Sequence, residues 1–217
     1  MKKSYLVCFT GVDGSGKTTH AKCLLEYLEA KGYACKRVWG GFRPFFSYVF
    51  FASTRLLGYW KKTKKNVYTD PLEYAPRKVA QKLGRLWRLF VFVDFQLKTL
   101  IKIRPNLMLG RIVILDRYYY DLLMDLSVSK ISSEGFVRRI AETLPGPDVT
   151  FLLDAPPSLT AQRRGFSWQD LKTKRDAFLQ MGRRFQFCVI DSSRDFWGNQ
   201  RKIRDLTMAR IEKTRFD

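Results

Sequence analysis

The sequence predicts a three-layer α/β fold in which a five-stranded parallel sheet is flanked by helices. Two observations support this prediction, namely short apolar runs of strand length and helical patterns between them. Strands that alternate with helices form parallel sheets that are covered on both faces. The five runs are expected to be buried strands: "YLVCF" (Tyr5–Phe9), "CKRVW" (Cys35–Trp39), "RIVIL" (Arg111–Leu115), "VTFLL" (Val149–Leu153) and "FCVI" (Phe187–Ile190).

The clearest helical pattern follows the first of these runs. Ala21, Leu24, Leu25 and Leu28 recur at positions i, i+3, i+4 and i+7, and Gly32 is placed to end the helix. No repeat, low-complexity tract or linker divides the chain. We therefore expect residues 1–217 to form a single domain.

The composition indicates a globular protein with a strongly basic surface. The chain has 217 residues, of which 46% are hydrophobic, and a formal net charge of +20. Such a charge favours nucleotides, nucleic acid or an acidic lipid surface as partners, although a basic solvated surface explains it equally well. The cysteines Cys8, Cys23, Cys35 and Cys188 have no paired spacing, and His20 is the single histidine. This pattern argues against a zinc site and a Cys–His nucleophile, and free thiols suit a cytoplasmic location.

One apolar and basic segment, at about residues 41–75, is expected to be an insertion in the domain. "FFSYVFFASTRLLGYW" (Phe45–Trp60) is interrupted only by Arg55 and runs into "KKTKK" (Lys61–Lys65). It is shorter than the about 20 apolar residues that cross a bilayer. A buried or subunit-facing helix is favoured over an interfacial helix that makes peripheral membrane contact.

The stretch "TGVDGSGKTTH" (Thr10–His20) contains the pattern G-x-x-x-x-G-K-[ST] between a predicted strand and a predicted helix. This context is typical of a phosphate-binding P-loop, in which backbone N–H groups and a helix N-terminus surround phosphate oxygens. Lys17 is expected to reach the outer phosphates and the Thr18 hydroxyl to ligate Mg²⁺. The predicted fold is therefore that of a P-loop NTPase.

Two further carboxylates, Asp116 and Asp154, end predicted strands. The carboxyl edge of a parallel sheet borders the crevice where ligands bind, so both are candidates for the surroundings of Mg²⁺. The alternative is that each carboxylate caps the turn that follows it. Arg117, next to Asp116, is placed to clamp a transferring phosphoryl group.

Together these residues resemble the thymidylate kinase family of P-loop nucleoside monophosphate kinases. "GVDGSGKTT" (Gly11–Thr19) is similar to the phosphate loop of that family, including the acidic Asp13. "DFQLKTLIKIRPNLMLGRIVILDRY" (Asp94–Tyr118) matches its helix, strand and Asp-Arg-Tyr segment without a gap. "LPGPDVTFLLDAPPSLTAQRR" (Leu144–Arg164) resembles the strand and lid entry, and "VIDSS" (Val189–Ser193) resembles the loop that walls the adenine.

The resemblance implies phosphoryl transfer from ATP, with Mg²⁺, to dTMP or another nucleoside monophosphate. It also implies a short lid at about residues 163–175 and a homodimer. It assigns catalytic roles to Lys17, Arg117 and Arg163. The implied ATP-side residues are Gly11, Asp13, Gly14, Ser15, Gly16, Lys17, Thr18, Thr19, Arg164 and Asp191. The implied acceptor-side residues are Asp13, Asp94, Phe95, Arg117, Tyr118 and Asp121, and the candidate metal residues are Thr18, Asp116 and Asp154.

Three departures from the family pattern lie on the acceptor side. Phe95 stands where the family usually has an arginine that binds the acceptor phosphate. "YYDLLMDL" (Tyr119–Leu126) replaces a serine and an Ala-Tyr-Gln, and Asp121 occupies the serine position. "GGFRPFF" (Gly40–Phe46) replaces an arginine–acid–proline loop, and its Arg43 is a candidate for the missing phosphate contact.

Three functional hypotheses follow. The first is a nucleotide kinase of this family, and the second is a kinase for an unphosphorylated nucleoside or another small molecule. The third is an ATP-binding module whose basic surface docks nucleic acid or a membrane. Basic stretches such as "RKVAQKLGRLWR" (Arg77–Arg88) suit the third hypothesis, but an amphipathic helix packed on the sheet is the favoured interpretation of that spacing, which argues against a nucleic-acid partner.

Overall fold

The computed structural model describes residues 4–41, 84–128, 134–164 and 167–216, with four isolated positions between residues 46 and 56. The strands are β1 (Tyr5–Thr10), β2 (Cys35–Trp39), β3 (Ile112–Asp116), β4 (Val149–Asp154) and β5 (Cys188–Asp191). The helices before β3 are α1 (Lys17–Ala30), α2 (Gly84–Lys98), a π-helical turn (Thr99–Ile103) and α3 (Arg104–Met108). The remaining helices are α4 (Tyr119–Val128), α5 (Glu134–Thr143), α6 (Pro157–Arg164), α7 (Trp168–Arg184) and α8 (Phe196–Phe216).

The five strands form one parallel sheet in the order β2-β3-β1-β4-β5, which confirms the predicted architecture. The central strand β1 pairs with β3 on one side and β4 on the other, so that Val7 lies between Ile114 and Val149. Because all strands run the same way, their carboxyl ends lie along one edge. The chain reverses its direction of progression across the sheet beside β1, which is where α/β sheets open a ligand crevice.

Helices cover both faces of the sheet, and the side chains of β1 alternate between two cores. Leu6 and Cys8 join one buried cluster, whereas Tyr5, Val7 and Phe9 join the other. Burial on both faces explains why this strand appears in the sequence as a continuous apolar run rather than an alternating one.

The expectation of five buried strands is wrong for the two edge strands. In β2 only Val38 is buried, and in β5 only Ile190. An edge strand has a neighbour on one side only, so most of its side chains keep contact with solvent. The predicted strand positions are otherwise confirmed to within one residue at each end.

Helix α1 confirms the predicted apolar periodicity. Ala21, Leu24 and Leu28 are fully buried, and Leu25 packs at the rim of the same core. The helix ends at Ala30, and Gly32 then adopts a left-handed φ of 81°. A glycine in this conformation ends a helix with little strain.

Several predicted features lie outside the described residues. These are Arg43, nearly all of the proposed insertion at about 41–75, and residues 77–83 of the stretch Arg77–Arg88. The proposed lid spans the end of α6 and the first half of α7, but residues 165–166 and the side chains of Arg163 and Arg164 are not described. Within the described ranges, no helix combines the length and apolar character needed to cross a membrane.

Candidate active site

The phosphate loop joins β1 to α1 and is shaped by its backbone. Gly11, Gly14 and Gly16 have φ values of 135°, 85° and 91°, which side chains rarely allow. Gly11 also lies against β4, because a Cβ there would stand 2.5 Å from the Leu153 carbonyl oxygen. The loop therefore bends tightly between the central strand and the helix N-terminus, where backbone N–H groups favour an anion.

Lys17 folds back over this loop. Its Nζ donates hydrogen bonds to the carbonyl oxygens of Gly11 and Val12, both at 2.7 Å, and lies 4.0 Å from Asp13 Oδ1. Burial, together with the nearby Arg117 guanidinium, lowers the pKa of Lys17 to about 8. Among the described residues, the ammonium group contacts two carbonyl oxygens and one carboxylate at 4.0 Å, and such a buried cation is well suited to receive phosphate oxygens.

Ser15 supplies an independent sign of a ligand in the loop. Its hydroxyl oxygen is buried and has no hydrogen-bond partner among the described residues. Leaving a buried hydroxyl without a partner costs about 1–3 kcal/mol. A phosphate oxygen in the cradle would accept this hydrogen bond. Thr18 and Thr19 are exposed at the first turn of α1, which leaves their hydroxyls accessible to a ligand or metal.

His20 packs behind the loop and is buried. Its Nδ1 lies 2.6 Å from Gln200 Nε2, and its ring lies 4.8 Å from that of Phe196 at the start of α8. Burial lowers the pKa of His20 to about 4, so the ring is neutral at pH 7 and Nδ1 accepts the hydrogen bond from Gln200. This contact joins residues 180 positions apart, so no local pattern in the sequence predicts it.

Arg117 immediately follows β3 and has a strained backbone, with a φ of 69°. Its guanidinium donates to Asp13 Oδ1 from one side and to Asp121 Oδ1, at 3.4 Å, from the other. Burial alone would lower the pKa of Arg117, but these two carboxylates outweigh it and raise the pKa above its ordinary value. Strain at a non-glycine residue held by several partners is typical of functional sites.

Gly40, which follows β2, packs closely against the backbone of Arg117. Its N–H donates to the carbonyl oxygen of Asp116 at 2.8 Å. A Cβ at Gly40 would lie 1.9 Å from the Arg117 carbonyl oxygen, so only glycine fits here. The sequence analysis did not single out this residue. The glycine pair that directly follows the second predicted strand is the signal that could have found it.

Two carboxylates of this region have opposite pKa shifts. Burial raises the pKa of Asp121, which accepts hydrogen bonds from Thr10 Oγ1 at 2.9 Å and Tyr118 N at 3.2 Å. Burial also tends to raise the pKa of Asp13, but Arg117 and Lys17 outweigh it and lower that pKa. Asp13 therefore stays ionised between the two cations.

The candidate metal carboxylates are each paired with an arginine. Asp116 Oδ2 accepts from Arg37 Nη1 at 3.1 Å. Asp154 is held by two hydrogen bonds from Arg175 in α7, at 2.5 and 2.7 Å. The described residues contain no group of three or more His, Cys, Asp or Glu side chains arranged to hold a metal ion. The sequence analysis missed both arginines, because each lies far from its partner in the chain.

The structure places three of the predicted acceptor-side residues in or near the core. Phe95 is 2% exposed and Tyr118 is 1% exposed, and the Tyr118 hydroxyl donates to the Pro145 carbonyl oxygen at 3.2 Å. Asp94 is buried, and its Oδ1 accepts from the Phe46 N–H at 2.8 Å. Phe95 therefore contributes packing where an arginine would contribute charge.

The loop predicted to wall the adenine follows β5 at the same edge of the sheet. Asp191 is exposed and accepts hydrogen bonds from the Ser193 N–H and hydroxyl, which lower its pKa. The Ser192 N–H donates to the Asp154 carbonyl oxygen at 2.8 Å. These bonds fix a tight turn beside the end of β4, whose Leu153 touches the phosphate loop.

Comparison with known proteins shows the family of this chain. The thymidylate kinase family model matches residues 80–199. A probable thymidylate kinase of Sulfurisphaera tokodaii is 27% identical over 216 residues, covering 95% of this chain and 93% of that protein. A thymidylate kinase of Akkermansia muciniphila is 30% identical over 82% of this chain and 72% of its own length, and one of Caenorhabditis elegans is 28% identical over 79% and 72%. The chain belongs to the thymidylate kinase family of nucleotide kinases.

Proposed function

We propose that this protein transfers the terminal phosphoryl group of ATP to a nucleoside monophosphate, with dTMP as the first acceptor to test. One observation carries most of the argument. Asp13 Oδ1 is shared by Lys17 Nζ, at 4.0 Å, and by the Arg117 guanidinium. The cation of the phosphate loop and the cation at the end of β3 therefore meet at one carboxylate, where a donor and an acceptor phosphate could lie side by side.

An enzyme catalyses phosphoryl transfer mainly by positioning two anions and stabilising charge, and cations that lie close together can do both. Two anions must be held in line, and the charge that develops between them must be stabilised. Lys17 would hold the outer phosphates of ATP, and Arg117 would hold the acceptor phosphate. Arg163, at the entry to the lid, would close over the transferring group.

The ATP side would be completed by residues of the loop and its surroundings. The amides from Gly11 to Thr19 and the Ser15 hydroxyl would donate to phosphate oxygens, while Arg164 and Asp191 would border the rest of the nucleotide. The exposed Thr18 hydroxyl would bind Mg²⁺, and Asp116 and Asp154, which end β3 and β4, would be its candidate carboxylates. The bound metal would neutralise phosphate charge.

The acceptor side would combine Arg117 with Arg43, Asp94 and Asp13. Arg43 follows the carboxyl end of β2 in the chain, which favours a role next to the acceptor phosphate and in place of the arginine replaced by Phe95. Asp13 would face the acceptor sugar. A homodimer, implied by the family resemblance, is part of the same proposal and can be checked by light scattering.

A second candidate, a kinase for an unphosphorylated nucleoside or other small molecule, is favoured by one observation. The Arg117 guanidinium already contacts two carboxylates, which leaves less positive charge for an acceptor phosphate. Membership of a nucleotide kinase family disfavours the third hypothesis, a non-enzymatic ATP-binding module.

The experiment is an acceptor panel with ATP and Mg²⁺, covering the ribo- and deoxyribonucleoside monophosphates and the free nucleosides. We expect ADP release that depends on a monophosphate, with dTMP among the best acceptors. Turnover with a free nucleoside but with no monophosphate would establish the second candidate instead. Lack of turnover with every acceptor, in protein that binds ATP, would overturn both.

A further inference from the structure

Both carboxylate oxygens of Asp121 contact other groups of the protein. Its Oδ2 accepts hydrogen bonds from Thr10 Oγ1 at 2.9 Å and from the Tyr118 N–H at 3.2 Å. Its Oδ1 faces Arg117 Nη1 at 3.4 Å. Only 8% of the side chain is exposed. Asp121 therefore offers no free face to a substrate, although the family resemblance places it on the acceptor side.

The backbone of Arg117 is fixed by its N–H, which donates to the Phe9 carbonyl oxygen at 2.9 Å, but its long side chain needs partners of its own. The left-handed φ of 69° costs about 1–3 kcal/mol and persists only when the surroundings fix it. A long side chain also loses rotamer entropy when it is held in one position. Two carboxylates from different segments, Asp13 in the phosphate loop and Asp121 in α4, supply this restraint.

The charges around Arg117 also require Asp121. The guanidinium and the Lys17 ammonium repel each other, and each is attracted by Asp13 and Asp121. Without Asp121, the guanidinium would keep one hydrogen-bonded carboxylate among the described residues, Asp13, which Lys17 also contacts. The guanidinium would then lose one of the two contacts that fix its position.

We propose that Asp121 is a positioning residue that fixes the Arg117 guanidinium in place, a proposal that rests on the function given above, in which Arg117 binds the acceptor phosphate. An uncharged side chain at this position could not balance the Arg117 and Lys17 cations in the same way. The carboxylate of α4 and the guanidinium after β3 therefore act as a unit.

The main test compares Asp121→Asn with Thr10→Val. The asparagine keeps the size of the side chain and a carbonyl oxygen for the Thr10 and Tyr118 hydrogen bonds, but turns an amide toward Arg117. We expect kcat with the best acceptor to fall about tenfold or more, while the KM for ATP changes less than about twofold. Thr10→Val removes a hydrogen bond to Asp121 without touching the ion pair, so it should keep kcat within about threefold of the wild type.

A second readout does not depend on activity. The ¹⁵N NMR signals of the Arg117 guanidinium, assigned with Arg117→Lys, report how fast its Nη groups rotate. We expect hindered rotation in the wild type and in Thr10→Val, and fast rotation in Asp121→Asn. If Asp121→Asn does not fold, Asp121→Ser is measured in its place.

The outcomes separate this inference from the proposed function. A kcat close to wild type in Asp121→Asn, or a loss of kcat without faster Arg117 rotation, overturns the positioning role. A wild-type protein that phosphorylates no monophosphate overturns the proposed function, and the NMR comparison still decides whether Asp121 holds Arg117.

Discussion

The phosphate loop and the Arg117 cluster lie next to each other but are built differently. The loop owes its shape to backbone conformation, with three glycines at positive φ and Lys17 bonded to the carbonyl oxygens of Gly11 and Val12. The Arg117 cluster owes its shape to side-chain contacts among Asp13, Arg117 and Asp121, which come from three segments of the chain.

This difference determines how each region responds to sequence change. The phosphate loop depends on a local motif, so its shape is expected to survive substitutions elsewhere in the chain. A cluster of charges depends on every member, because removing one leaves the others buried without compensation. In this cluster Asp121 is one of the two carboxylates that contact the Arg117 guanidinium.

The largest expected effect is at the loop. Lys17→Ala should lower kcat by about 100- to 1000-fold, because the ammonium stabilises charge that develops in the transition state. Turnover is measured at saturating ATP and acceptor, and circular dichroism checks the fold. Lys22→Ala, on the exposed face of the same helix, is the matched control and should retain wild-type activity. Comparable activity in the two variants would refute the assignment of the cradle.

At the Arg117 cluster, Arg117→Ala should reduce kcat about 100-fold and more than Arg163→Ala does. Arg117 follows a buried strand and is held by two carboxylates, whereas Arg163 precedes a second arginine that could replace it. Both variants are compared at saturating ATP across a range of acceptor concentrations. A larger loss at Arg163 would reverse the two roles.

Gly40→Ala tests whether the backbone around Arg117 is as tightly specified as the loop. The added methyl group would lie 1.9 Å from the Arg117 carbonyl oxygen, so the chain must shift and the free energy of unfolding should fall by about 3 kcal/mol. Urea unfolding measures this change. Gly135→Ala in α5 is the control, because nothing lies within 4 Å of its Cβ position. Equal stabilities of the two variants would show that the region near Arg117 is loosely packed.

The burial of His20 behind the phosphate loop can be tested through the pH dependence of the free energy of unfolding. Its folded pKa of about 4 lies below the ordinary 6.5, so between these values the unfolded state binds a proton and the folded state does not. Stability is therefore lost as pH falls through this window, by about 2 kcal/mol at about pH 5. Urea unfolding at pH 7 and pH 5 should show this extra loss in the wild type but not in His20→Gln.

Because the chain has a single histidine, its imidazole NMR signal can be followed without assignment. A titration midpoint near 6.5 in the folded protein would contradict burial behind the loop.

Local patterns in the sequence sufficed to predict the fold and the phosphate loop. The five strands, the apolar face of α1 and the glycine loop between them each depend on residues close together in the chain. Hydrophobic periodicity and glycine conformation act at this range, which is why they can be interpreted without a structure. The roles given to individual site residues remain predictions, as do the single-domain organisation and the insertion.

Only the tertiary structure decided which charges meet. Arg37 binds Asp116, Arg175 binds Asp154, and Asp121 binds Arg117. Gln200 reaches His20 across 180 positions, and Gly40 makes room for the Arg117 backbone. No local pattern specifies such pairs, because their energy depends on distance and burial that arise only when the strand ends assemble along one edge of the sheet.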